Sequence, residues 1–318
     1  MYANQKGSVA IIAAAGVLFM LGVVGLAVDL GHLYVVKSEL HRAADAGAMA
    51  GVRSLFPYPV SSATLPLTPN CGAALSQGRA ICQANLVERE AAVVSSLQTG
   101  SWDWSVNCFN SGCSAAPFTN AVTITTRRDN IPLTVMGVFG FGPVSLQASA
   151  TAVMDWVGKM EPGQGFVLML GKKYVQTGTY MDIYLNPAPI DGGGWYAKAP
   201  QGADNSTIKG YMDDPSTVPG LKQGDMVNLN NGDWGDVLQI IKSSWIGKTV
   251  WLPVVDTGQF NQSGPVIGFT SVTINGVGTQ GGNKYIRVTP NPLQEVPESK
   301  AGPGGAAYGL LGAPRLAQ

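Results

Sequence analysis

Oxygen-bearing side chains crowd into "NLNNGDWGD" (228–236). Asn228, Asn230, Asp233 and Asp236 surround a glycine turn, and such oxygens can bind Ca²⁺. The closing Glu of a helix–loop–helix calcium site is missing, and Asn and Gly also build ordinary tight turns, so the turn is the preferred reading and calcium the weaker one. "GVGTQG" (276–281) satisfies G-x-G-x-x-G but lies between two strand-like segments, whereas a dinucleotide site needs a helix after the motif. "KSSWIGKT" (242–249) ends like a phosphate-binding loop, but Lys242 stands where its first glycine belongs, and "VWLPVV" follows in place of a helix. The two histidines, His32 and His41, lie nine residues apart on one predicted helix, and neither G-x-S-x-G nor H-E-x-x-H occurs. The chain is therefore read as a non-enzyme, with no catalytic residue, no cofactor and no committed metal site.

Cys71, Cys82, Cys108 and Cys113 all follow the long apolar run near the N-terminus. None forms a C-x-x-C pair and both histidines lie far upstream, which speaks against zinc. Two disulfides formed in an oxidising compartment fit better. Three pairings are open, of which Cys71–Cys82 with Cys108–Cys113 is the most local.

Twenty basic and 20 acidic residues leave no net charge, and no basic stripe exists to hold nucleic acid. Charged residues make up only 13% of 318, with 41 Gly and 20 Pro, a loop- and strand-rich composition that leans towards an exported protein. The length allows two domains and an anchor.

These features must be carried by something, and the N-terminus supplies the first element. Val9 to Val28 holds no charge and no proline, and twenty helical residues span roughly the 30 Å hydrocarbon core. A cleaved signal has a shorter core, about 7–15 residues, although Gly25-Leu26-Ala27 offers a small-x-small cleavage pattern. Helical spacing continues beyond the apolar run through Leu26, Leu30, Leu33, Leu40, Ala44, Gly47 and Gly51, with a gap at Lys37, and no proline intervenes before Pro57. One helix from about Ser8 to Leu55 is expected, its lower half in lipid and its upper half against a globular head. Asp29 then stands at the membrane edge, either as a solvated helix residue or as a helix-packing contact. Gly31, Ala44, Asp45, Gly47 and Gly51 are the further packing candidates, because small residues let another element approach closely. The export-like composition and the cysteines place the C-terminal part outside the membrane.

The stretch "KGSVAIIAAAGVLFMLGVVGLAVDLGHLYVVKSELHRAADAGAMAG" resembles the N-terminal segment of TadG-like (TadE/TadG-like) proteins of the Flp pilus-assembly system. The likeness rests on Lys6-Gly7, on Leu26 to Gly31, on Tyr34, and on Ala43-Ala44-Asp45-Ala46 through Gly51. Gly47 and Met49 in the alanine block, and His41-Arg42, depart from the usual pattern. "AVTITTRR" and "IPLTVMGVFGFGPVSLQASATAVM" are similar to the strand, short helix and strand of the same family. The resemblance implies a pilus-assembly role, a single-pass bacterial inner-membrane protein with its C-terminal part periplasmic or carried in a surface filament, and cell adhesion. The implied partners are pilus-assembly machinery or pilin-like subunits and the lipid bilayer, with no nucleic acid and no small-molecule ligand expected. Gly7 is a candidate processing point, but Ile12 stands where a prepilin carries Glu at the fifth mature position. The metal site of a von Willebrand A domain is not matched by "DNSTI" at Asp204.

The predicted fold class is α+β, with a long transmembrane helix continuing into a pilin-like α+β head, then an antiparallel β-sandwich or barrel-like domain. The expected parts are a cytoplasmic N-terminus (1–7), a transmembrane helix (8–28), its periplasmic extension (29–56), the head (57–155), a linker (156–165), the β-rich domain (166–295) and a flexible tail (296–318). Within the head, helical spacing extends from about Ala73 to Leu97 with Gly100 as its stop, "SWDWSVNCF" reads as one strand, and Pro132 to Phe139 as a short helix. The alternative function is a membrane-anchored carbohydrate- or surface-binding module, because seven Trp could stack on sugar rings.

Overall fold

The computed structural model describes residues 6–56, 68–112, 119–175, 180–185, 192–291, 294–296 and 308–317. Helix α1, Lys6–Ser54, runs unbroken for 49 residues, about 73 Å at 1.5 Å per residue. Ala and Leu favour the helix, and no proline interrupts it. Its first half is exposed on nearly all sides, with Ile11 at 73% and Phe19 at 73%. A single face turns inward further along. Gly25, Asp29, Val36, Leu40, Ala43, Ala44, Gly47, Ala48, Gly51 and Val52 are buried, at three- and four-residue steps. Leu26 and Leu30 lie off this face and are exposed, so at its lower end the packing stripe is shifted by one residue from the one the leucines predict. Val36 fills the gap at Lys37.

Helix α2, Cys71–Ala84, packs beside α1. It begins where Asn70 accepts the Ala73 amide at 2.9 Å, an N-cap. It ends where the Asn85 amide donates to the Cys82 carbonyl. The predicted helix to Leu97 is thus corrected. Chain 86–103 forms strands β1 (Leu86–Val87), β2 (Glu90–Ala91) and β3 (Val93–Asp103). The β-branched Val93 and Val94 favour a pleated surface, and Gly100, expected to stop a helix, lies inside β3. "SWDWSVNCF" is likewise two strands: β3 turns at 104–107 into β4, Cys108–Ser111.

Strands β5 (Ala121–Ile131) and β6 (Val144–Val153) complete the head sheet, flanking a short 3-10 helix at Met136–Phe139. Their register decides how α1 sits. Val122 pairs with Ala152, Ile124 with Ala150 and Thr126 with Ala148, and this row faces the helix. Alanine opposite each larger residue leaves a shallow bed. On the other face Thr125 and Ser149 bridge hydroxyl to hydroxyl at 2.9 Å. The Thr126 hydroxyl donates to the Leu40 carbonyl at 3.0 Å. A Cβ on Gly47 would come within 2.7 Å of both Ile124 and Cys82, so helix, sheet and α2 meet there with no spare space.

The chain passes through β7 (Lys159–Met160) into the second part: β8 (Leu168–Gly171), β9 (Met181–Tyr184), β10 (Gly193–Lys198), helix α3 (Asn205–Asp213), β11 (Leu221–Lys222), β12 (Met226–Asn230), helix α4 (Gly235–Ser244), β13 (Thr249–Val255), β14 (Ser263–Gln280) and β15 (Asn283–Pro290). Strands run in the order β12-β10-β8-β13-β14, and β14 pairs back onto β12, closing a barrel. The predicted all-antiparallel arrangement is corrected, because β8 and β13 are parallel. The far end of the 18-residue β14 leaves the barrel and pairs with β15, which pairs with β9. "DNSTI" is the start of α3, where Asp204 accepts the Thr207 amide at 2.8 Å.

The expected linker and tail differ from prediction. Met154 through Val157 are buried, and Trp156 packs edge-on against Phe56 at 4.6 Å. After β16 (Gln294–Val296), the chain returns as β17 (Leu310–Gly312) and β18 (Arg315–Ala317). Strand β18 adds itself to β6, giving the head sheet the order β18-β6-β5-β3-β4. Residues 297–307 of the expected tail lie outside the described residues.

Gly47→Val should lower stability by about 1–3 kcal/mol through overpacking, read as a fall in Tm by circular dichroism of the full chain in detergent. Gly31→Ala, where an added Cβ meets nothing within 4 Å, should leave Tm unchanged or raise it.

Candidate functional site

The point where α1 leaves its apolar run is built around Asp29. This side chain is 2% exposed. Its Oδ1 accepts the Thr134 amide at 2.8 Å, and its Oδ2 accepts those of Val135 at 3.2 Å and Met136 at 2.7 Å. Met136 opens the 3-10 helix, so a carboxylate from one element caps the amides at the start of another. Peptide N–H groups at a helix start lack partners within the helix and attract negative charge. One turn earlier, a Cβ on Gly25 would overlap the side chain of Val135. Gly25 and Asp29 thus receive the loop between β5 and β6. Both predicted roles of Asp29 are replaced: it is neither solvated nor packed on another α-helix, but binds this loop.

A second set of contacts lies along the same end of the head. His32 Nε2 and Glu88 Oε1 are 3.0 Å apart. The Glu88 amide donates to Glu39 Oε2 at 2.9 Å. Arg128 Nε donates to Glu88 Oε2 at 2.8 Å, and its other nitrogen reaches Glu90. Glu88 and Arg89 form the two-residue turn of the β1–β2 hairpin with φ of 50° and 69°. Such turns favour Asn-Gly, and the contacts from α1 and β5 hold the less suited pair in place. The hydrogen bonds from Arg128 to Glu90 and Glu88 push the arginine pKa up.

A third set joins the C-terminus to the head. Asp155 accepts Trp104 Nε1 at 2.9 Å, Asn120 Nδ2 at 2.9 Å and the Arg315 guanidinium at 3.0 Å. Burial raises its pKa, against the opposing charge of Arg315. Arg315 also lies 4.2 Å over the Trp104 ring.

The remaining predicted residues are dispersed. Ala44, Gly47 and Gly51 lie on the buried face of α1, Asp45 is half-buried beside them, and Gly31 faces open space. Gly7 is in the first turn of α1. The four calcium candidates are each engaged elsewhere. Asn228 bonds Ser263 and Gln201, Asn230 accepts the Gly232 amide, Asp233 pairs with Lys284, and Asp236 faces Asn205. Among the described residues no three His, Cys, Asp or Glu side chains gather as metal ligands. The two local disulfides are corrected: Cys82 is free and buried, Cys108 is free and exposed. Burial lifts the Cys82 thiol to about 11, which keeps it protonated and inert. Cys71 is not among the free thiols, and Cys113 lies outside the described residues. Most of the Trp residues do not make a sugar-binding row. Trp195 is fully buried against Trp234, and Trp156 is 3% exposed. Trp245 and Trp251 border an open cavity of about 300 Å³ that has no charged side chain in its lining.

Sequence reasoning missed Gly25, the Glu39–Glu88–Arg128 contacts and the Asp155–Arg315 pair. Only the first had a local signal, the four-residue step from Gly25 to Asp29 to Leu33 on one helix face.

One helix is long and apolar enough to cross a membrane, and it continues into a small α+β head. Residues 7–54 match the family described as Flp pilus-assembly TadE/G-like, and residues 62–152 the family described as Tad-like Flp pilus-assembly. Over these residues the chain is similar to the TadE/TadG-like Flp pilus-assembly proteins, as the sequence resemblance implied. No curated protein and no solved structure matches it. The carbohydrate-binding alternative gains no support from these matches.

Asp29→Ala should lower the Tm of the full chain by at least roughly 2–4 °C, and Asp29→Asn, which keeps one acceptor oxygen, by less. Arg315→Ala should cost about 1–3 kcal/mol at neutral pH, a charge-assisted hydrogen bond lost. That cost requires ionised Asp155. It should therefore be full above the raised pKa of Asp155 and fade as pH falls through it, in a window lying above the ordinary value of 3.8. Denaturant titrations of both proteins across this range check the sign.

Proposed function

We propose that this chain is a structural component of an Flp-type pilus-assembly system, held in the bacterial inner membrane by α1 with its head and barrel on the periplasmic side. It works by contact and performs no reaction. The observation that carries this reading is the unbroken α1, whose apolar half is left bare while its second half is embedded in the head. A bare apolar half can lie in a bilayer or against like helices, and the embedded half transmits position from that helix to the head. The barrel, attached through a buried junction and tied back by β18, presents a fixed surface to other components. Entry into a filament and a periplasmic location are both part of this proposal. Support comes from the family likeness over residues 7–54 and 62–152.

Deleting the gene in its native host should abolish Flp-type pili, with restoration by the full chain. A chain lacking residues 310–318 should restore fewer. Blots of sheared filaments and of inner membranes, with N-terminal sequencing of each band, locate the product. Unchanged piliation in the deletion strain would contradict the proposal.

A further inference from the structure

The loop between β5 and β6 has an unusual tip. Val135 to Phe141 carries no charged or polar side chain, and no charged residue occurs between Asp129 and Asp155. Val138 is 84% exposed, Phe139 50% and Phe141 58%. Three large apolar side chains exposed together on one short loop mark an interaction surface.

The loop is fastened to α1 at Asp29 and Gly25. Gly25 lies within the apolar run, four residues before Asp29, or about 6 Å further towards the membrane. Val135 reaches that level. The loop therefore reaches down beside the apolar run at Val135, and both its tip and the nearby helix residues Leu26, Val28 and Leu30 are exposed apolar side chains. Apolar faces of interfacial segments bury about 5–10 Å into the headgroup and acyl boundary, a depth that matches.

We propose that Val138, Phe139 and Phe141 insert into the outer-facing leaflet beside α1, as a second attachment of the head to the lipid bilayer. This rests on α1 being the anchor. One helix alone leaves the head free to rotate and tilt over the membrane. A loop dipping in at one side fixes which face of the head looks outward. Asp29 has a direct part in this: its carboxylate occupies three amides that would otherwise enter the lipid boundary without partners.

The test uses the full chain in phosphatidylethanolamine–phosphatidylglycerol vesicles, with Cys108→Ser removing the exposed thiol. Nitroxide labels are placed singly through Leu18→Cys in the apolar run, Val138→Cys at the tip, and Val106→Cys in the β3–β4 turn at the opposite end of the head. Collision with oxygen and with a water-soluble nickel complex is measured, the unsubstituted background being subtracted. The proposal expects Leu18 and Val138 to be oxygen-rich and shielded from nickel severalfold relative to Val106. Leu18 in lipid with Val138 as nickel-accessible as Val106 would overturn it while leaving the anchor intact. A Val138 label shielded from both reagents would mean a protein occupant and would also overturn it. Nickel access at Leu18 would remove the anchor, and the loop proposal with it.

Discussion

A carboxylate at the edge of an apolar helix has to find partners, and the rest of this structure follows from how Asp29 finds them. Water is one solution. Here the partners are three consecutive main-chain amides of the loop between β5 and β6. The loop in turn fixes the end of both strands, and those strands are the bed on which the upper half of α1 lies. Asp29 thus ties the head to the helix where the apolar run ends. Gly25 makes the approach close, because any side chain there would strike Val135.

Above that point the contacts repeat along the helix. Leu40, Gly47 and Gly51 meet Thr126, Ile124 and Val122 in turn, so the helix runs antiparallel to β5. Alanines 148, 150 and 152 opposite these residues keep the sheet flat enough for the helix to settle. The one polar side chain in this row, Thr126, is buried with its hydroxyl donated to the Leu40 carbonyl. At the far end, Asp155 and Arg315 tie the final strand to the head, so the barrel is joined at two places, through 154–157 and through β18.

Much of this was legible in the sequence, and the failures have physical causes. The long helix was visible because an apolar run and a helical pattern follow each other without proline. The α+β head was visible because "AVTITTRR" and "QASATAV" alternate. The lower packing stripe was misplaced because hydrophobicity favours Leu26 and Leu30, which face outward, whereas the packed residues are a glycine and an aspartate. The helix beyond Ala84 was misread because alanine and valine at three- and four-residue spacing also suit a strand. The buried linker and the returning C-terminal strand depend on contacts between residues far apart in the chain, Trp156 with Phe56 and Arg315 with Asp155 and Trp104, which no local pattern carries. The free thiols of Cys82 and Cys108 have the same cause: an even count of cysteines says nothing about which of them meet.

Amide hydrogen exchange at Thr134, Val135 and Met136 in the full chain tests the dependence on Asp29 most directly. Protection of all three amides, lost in Asp29→Ala while β5 and β6 stay protected, is the predicted result. Rapid exchange of these amides in the unsubstituted protein would contradict it.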